Sequence, residues 1–162
     1  MTTQFSQDNW REHSGPRLLS YIRRFGLRAA VSAYVTLKLT RGLARVTVPQ
    51  LRHPIQLRGG TSDRAVFQEV VVNELYALPS NSPAPRTILD AGANIGVTAV
   101  WFASRYPNAT IVCVEPDADN YKLLCENIRL YRNVSAIHAG IWPRSTSLQI
   151  LDPNAAKWAM QV

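Results

Sequence analysis

Residues 89–96 read Leu89-Asp90-Ala91-Gly92-Ala93-Asn94-Ile95-Gly96, and the fold turns on this stretch. A short apolar run, Thr87 to Asp90, precedes the bend. Ile95 to Tyr106 follows it as a helix ended by Pro107, because the residue before a proline is pushed out of helical geometry. Thr110 to Glu115 is β-branched and reads as a second buried strand. Tyr121, Leu124, Cys125, Ile128 and Tyr131 then fall at helical spacing, Ser135 to Ile141 gives a third strand, and Leu148-Gln149-Ile150-Leu151 a fourth element. Strand, helix, strand, helix, strand with connections this short requires a parallel sheet with right-handed crossovers. The fold class is therefore α/β, a doubly wound sheet represented by its first three or four strands.

In such a sheet the bend from first strand to first helix is where nucleotides bind. Gly92 and Gly96 remove side chains where a ligand approaches the backbone and where the helix packs closely. Glu115 lies 25 residues beyond Asp90, at the carboxyl end of the second strand. An acid roughly 20 residues past the glycine bend is placed to accept hydrogen bonds from both ribose hydroxyls. Dinucleotide sites want G-x-G-x-x-G, with a pyrophosphate at the helix start. Here the spacing is G-x-x-x-G, and Asp90 stands just before the loop, where its carboxylate repels a phosphate and attracts a cation. S-adenosyl-L-methionine, with an ammonium, a sulfonium and no phosphate, fits that pattern. No Gly-Lys-Ser/Thr exists, so a P-loop is excluded. The bland alternative is turn chemistry at Asp90 and a helix start at Glu115-Pro116-Asp117. The two pieces in register across one βαβ unit favour the ligand site. Asn120 could meet an adenine but reads better as a cap of the second helix.

Working back toward the N-terminus, residues 79–86 (Pro-Ser-Asn-Ser-Pro-Ala-Pro-Arg) cannot continue a helix and form a linker. They divide an N-terminal segment, 1–85, from a sheet-forming segment, 86–162. Gly59-Gly60 makes a turn, Thr61-Ser62-Asp63 supplies a hydroxyl cap and an acid, and the helix after them is expected to bury Phe67, Val70, Val71, Leu75 and Leu78. Arg45 to Arg58 is interrupted by Pro49 and Pro54 and predicts two short edge strands. From Pro16, Leu18, Ile22, Phe25 and Ala29 recur at helical spacing with Arg17, Arg24 and Arg28 opposite, a basic amphipathic helix continuing toward Leu39. Residues 1–15 are polar and aperiodic, and read as a mobile tail.

The chain has 162 residues, 46% hydrophobic and 18% charged, which excludes a disordered, collagen-like or coiled-coil protein. Its net charge of +7 is uneven: residues 1–60 carry +8 and residues 61–162 carry −1. The basic third is a candidate for peripheral contact with an anionic membrane; nucleic acid is not expected, because no aromatics interleave with the cations. No apolar run is long enough to span a bilayer and no secretory signal is visible. Cys113 and Cys125 read as reduced core thiols of a cytoplasmic protein, and no metal site is encoded.

With those motifs in hand, the sequence resembles the FkbM-like class I S-adenosylmethionine-dependent methyltransferases from about Leu57 to Val162. Three segments carry the likeness: Leu57-Arg58-Gly59-Gly60-Thr61-Ser62-Asp63 with Phe67 and Glu74; Ile88 to Gly96; and Val114-Glu115-Pro116-Asp117 with Asn120 and Asn127. The resemblance implies a Rossmann-like methyltransferase sheet and O-methylation of a hydroxyl on a sugar or natural-product-like small molecule. It implies cofactor contacts at Asp90, Gly92, Ala93, Asn94, Gly96, Glu115, Pro116 and Asp117, with Ser62 and Asp63 approaching from the N-terminal side. The family continues past Val162 with further strands and an acidic segment near the substrate. A truncated chain with an open sheet edge, weak cofactor binding and poor activity is therefore expected, or a partner or second copy that covers the edge. A nicotinamide-type nucleotide protein and a non-catalytic basic interaction module remain as alternatives. No residue stands out as the catalytic base: His138 reads as a core or strand-end residue, His53 as a loop residue, His13 as part of the tail, and Asp63 better as a cap. Trp101 is expected in the core; Trp142 serves adenine stacking and ordinary packing equally well. Trp10 and Trp158 decide nothing.

Overall fold

A computed structural model describes residues 18–144. The tail with His13 and Trp10, Trp158 and the proposed fourth element at Leu148–Leu151 lie outside the described residues.

The N-terminal part begins with two helices, α1 (Leu18–Phe25) and α2 (Leu27–Leu39), where the sequence predicted one. Gly26 separates them with φ +77°, a left-handed conformation that breaks the helix. α1 buries Phe25 as expected, but it turns Tyr21 inward rather than Ile22, which is half-buried, and Leu18 is exposed. The rings of Tyr21 and Phe25 meet edge to face at 5.5 Å and both pack on Phe67. β1 (Leu43–Val46) and β2 (Ile55–Arg58) follow as an antiparallel pair whose alternation buries Ala44, Val46, Ile55 and Leu57. The two prolines fall in the connection between them, where no ladder bond is lost.

The helix after Gly60 is shorter than its pattern suggests. α3 (Asp63–Phe67) passes directly into a π-helical turn, Gln68–Val72. The wider winding is visible in the bond from Asn73 N–H to the Gln68 carbonyl, 2.9 Å. It ends the helix at Asn73, so Phe67, Val70 and Val71 are buried as expected while Leu75 and Leu78 are exposed. The hydroxyl of the cap is that of Thr61, which accepts the Asp63 N–H at 3.2 Å, while Ser62 makes no capping bond.

Beyond the irregular stretch 79–86 come β3 (Thr87–Ala91), α4 (Val97–Arg105), β4 (Thr110–Glu115), α5 (Ala118–Ile128) and β5 (Val134–His138). The three strands are parallel in the order β3-β4-β5, half of a doubly wound, Rossmann-like α/β sheet. In register, Ile88, Ile111 and Val134 form one row and Asp90, Cys113 and Ala136 another on the same face. Ile111 and Cys113 are buried there. The opposite face carries Leu89, 62% exposed, and Ile137, and β3 has only one strand neighbour among the described residues.

The N-terminal elements dock on this sheet through both α4, against which the π-helical turn packs, and α5. Asn127 accepts the Gln56 N–H at 2.8 Å and donates to the carbonyls of Gln56 and Ile95. His53 N–H reaches the Tyr131 hydroxyl at 3.2 Å. One apolar cluster runs from Tyr21 through Leu57, Phe67 and Trp101 to Tyr131. Trp101 and Phe67 at its centre are worth roughly 1.5–3 kcal/mol each in burial.

Candidate functional site

The mouth of the sheet lies where β3 and β4 end. The Gly92 and Ala93 N–H groups both donate to the Val114 carbonyl, at 2.8 and 3.0 Å, folding the loop over the end of β4. Gly92 (φ +76°), Asn94 (φ +50°) and Gly96 (φ +85°) are all left-handed. A Cβ on Gly92 would meet nothing within 4 Å, so the space beside it is open. At Gly96 a Cβ would lie 2.6 Å from Leu124 Cδ1, so the close approach that demands glycine is to α5 rather than to a strand. Gly96 is also the N-cap of α4, whose first N–H groups point without intrahelical partners toward the mouth.

Glu115, at the end of β4, is 4% exposed, yet its carboxylate is held from three sides. Oε2 accepts the Asn94 N–H at 2.8 Å, and Oε1 accepts the Asp117 N–H at 3.0 Å and Asn120 Nδ2 at 3.4 Å. This fixes the Gly-rich loop to the neighbouring strand and leaves part of a carboxylate's roughly four acceptor positions free. Asp117 caps α5, its Oδ1 accepting the Asn120 N–H at 2.8 Å, while the Pro116 carbonyl is met by His138 Nε2 at 3.1 Å. His138 is exposed at the strand end and stacks on Tyr121 at 4.8 Å.

A chain of polar contacts reaches this acid from the N-terminal elements. Asp63 is wholly buried, and both its oxygens are taken by Arg58, which donates its backbone N–H and Nε to Oδ2 and Nη2 to Oδ1 at 2.9–3.0 Å. The same Nη2 donates to Asn120 Oδ1 at 2.8 Å, and Asn120 passes the contact to Glu115. Asp63 therefore acts on the mouth through Arg58 and Asn120, and Ser62 is a nearly buried neighbour at the turn. Asn120 does not cap α5 with its side chain: Asp117 caps, and the Asn120 side chain is the bridge. Arg58 was only part of a motif. A single arginine five residues before an aspartate has no periodicity, and only the packing of β2 against α5 brings it to Asn120.

Asp90 stands on the buried face of β3. Burial, and next the charge of Glu115, push its carboxyl up to about 6. Its Oδ2 is buried without a hydrogen-bond partner, and so is Asn94 Oδ1 across the loop. Two buried acceptors left open at one loop call for a donor, and a cationic donor satisfies both the geometry and the charge. A phosphate there would add a third negative group.

Other features lie apart. Cys113 is buried beneath the loop, its thiol pushed up to about 12 by burial and then by Asp90. Cys125 is partly exposed on α5. Trp142, beyond β5, is half exposed. An open cavity of about 680 Å³ lies between α1 and the π-helical turn, lined by Leu18, Leu19, Arg23, Arg24 and Val72, and includes none of the mouth residues. Among the described residues no three His, Cys, Asp or Glu side chains gather as a metal site, and no helix is long and apolar enough to cross a membrane.

No family model matches the chain. Methyltransferase sdnD of Sordaria araneosa is 32% identical over 74 residues, 46% of this chain and 28% of that protein. Methyltransferase 1 of Beauveria bassiana is 30% identical over 74 residues, 46% of this chain and 29% of that one. The AMB antimetabolite synthetase AmbE of Pseudomonas aeruginosa is 39% identical over 67 residues, 41% of this chain and 3% of its own length. The chain thus spans less than a third of the curated relatives it matches. Among solved structures, TYW2 of P. horikoshii in complex with MeSAdo is 17% identical with a TM-score of 0.40, covering 62% of this chain and 37% of that one. Coclaurine N-methyltransferase bound to N-methylheliamine and SAH is 15% identical with a TM-score of 0.39, covering 84% and 38%.

Proposed function

We propose that this chain carries the cofactor-binding half of an S-adenosyl-L-methionine-dependent methyltransferase, of the FkbM-like type, acting on a hydroxyl of a sugar or natural-product-like small molecule. The observation that carries the reading is the pair of open buried acceptors, Asp90 Oδ2 and Asn94 Oδ1, beside a fixed Glu115 at the strand ends. The methyltransferase names of two relatives support it independently.

The residues present fit the cofactor. Asp90 and Asn94 would take its ammonium group, the free N–H groups at the start of α4 its carboxylate, and the one remaining acceptor position on Glu115 Oε2 a ribose hydroxyl. When bound, the group supplies an electrophilic methyl on a sulfonium. Transfer is an in-line displacement, so the protein's part is to hold acceptor oxygen, carbon and sulfur on one line. Glu115 contributes through the loop it pins: a shift of Asn94 would move the cation-binding acceptors with it. Asp63, enclosed by Arg58, is not placed to take the acceptor's proton.

Isothermal titration with S-adenosylhomocysteine tests this. Weak, saturable binding that disappears in Glu115→Ala is expected. A thermal-shift series with NADH, ATP and S-adenosylmethionine separates the ligand classes, since only the ligand that binds the native state raises the melting temperature. A rise with NADH or ATP and none with S-adenosylmethionine would overturn the proposal.

A further inference from the structure

We propose that the outward face of α2 is a docking surface for an anionic lipid membrane. A surface helix normally turns apolar residues to the core and polar ones to water. α2 breaks that rule. Its inward face is Ala30, Ala33 and Leu37, all buried. Its outward face is Leu27, Val31, Val35 and Leu39, at i, i+4, i+8 and i+12, and the two end residues are 63% and 72% exposed. Four aliphatic side chains in one row form a contiguous apolar stripe, and such stripes mark interaction sites.

The charge beside the stripe decides what fits it. Turning 100° per residue places Arg28 and Lys38 within the same outward face, and both are exposed. Neither has an ion-pair partner among the described residues. No Asp or Glu occurs between Glu12 and Asp63, while that interval holds eight arginines and one lysine. A protein partner with a matching apolar row would meet this positive field as an obstacle unless it were acidic; a second copy would repel itself. An anionic bilayer surface satisfies both features at once. The aliphatic row enters the acyl boundary, and the long Arg28 and Lys38 stems let their heads remain at the phosphate level. The surface potential of such a leaflet is worth about fivefold in partitioning for each cation near it.

Co-sedimentation of the full chain with vesicles tests the proposal. Vesicles of phosphatidylcholine mixed with phosphatidylserine should pellet the protein, those of phosphatidylcholine alone should not, and added salt should release it, since the attraction is screened. Arg28→Gln with Lys38→Gln should lower partitioning by about thirtyfold. Val31→Ser with Val35→Ser should abolish pelleting. Both pairs face solvent, and unchanged circular dichroism would establish that the fold persists. Absence of pelleting at low salt overturns the proposal, as does equal pelleting on neutral vesicles. Retained pelleting by the serine variant overturns it too. A dimer by light scattering that Val31→Ser with Val35→Ser dissociates would overturn it in favour of a second copy.

Discussion

Replacing Asp90 with Asn should make the protein more stable and its ligand site weaker, and the two effects share one cause. Asp90 has an ordinary carboxyl value of 3.8, raised to about 6 by burial and by Glu115. Keeping it ionised in the native state therefore costs about 3 kcal/mol relative to the unfolded chain, at 1.36 kcal/mol for each pH unit. The sign follows from proton binding. Between pH 4 and 6, roughly, the native state holds this proton and the unfolded state has lost it. Stability from this group thus falls as pH rises through that window, and the whole cost is present at pH 7. The amide of Asp90→Asn is neutral at every pH, so the variant should gain up to about 3 kcal/mol at pH 7 and nothing below about pH 4. In urea, where slopes for small proteins are about 1–3 kcal/mol per molar, that gain moves the midpoint upward by about 1–3 M. Urea titrations of both proteins from pH 4 to pH 8 read the difference directly. The same variant should lose S-adenosylhomocysteine binding, because the cation's counter-charge has gone. A stability difference that does not change with pH, or a variant less stable than its parent at pH 7, would refute the reasoning.

Arg58→Ala removes the guanidinium from both oxygens of the buried Asp63 and leaves only the residue-58 backbone N–H on Oδ2; a buried charge that loses its ion-pair partner costs about 3–5 kcal/mol. Arg105→Ala, whose bond to Glu74 is exposed, should cost no more than about 1 kcal/mol; chemical denaturation compares the two. Gly96→Ala should destabilise by at least about 1–2 kcal/mol, because φ is +85° and the new Cβ would strike Leu124, and the thermal midpoint should drop accordingly. In the native protein Cys113 should resist a thiol reagent such as Ellman's that modifies Cys125, because burial keeps its thiol protonated; equal rates would contradict the placement of Cys113 under the loop.

How much could be read without coordinates depended on how local each feature is. The strand–bend–helix of residues 87–105 and the β-branched run to Glu115 rest on neighbouring residues alone, and they appear within a residue or two of where the pattern sets them. Asp90, the glycine bend and Glu115 were legible because both ends of one βαβ unit fall at a fixed spacing. The split at Gly26 is a local signal too weak to outweigh the apolar period on either side. The π-helical turn at Gln68–Val72 is different, since its winding leaves no mark on a period of 3.6.

The sequence by itself determined the parallel α/β sheet, the place of the glycine bend and the acids on either side of it, because periodicity and turn chemistry act between residues a few positions apart. Tertiary structure alone decided that Arg58 would join Asp63 to Asn120 and Glu115, that Asp90 would be buried deep enough to hold its proton to about pH 6, and that the aliphatic row of α2 would face outward. Desolvation and hydrogen-bond geometry depend on what packs across the chain, and no spacing within one segment encodes them.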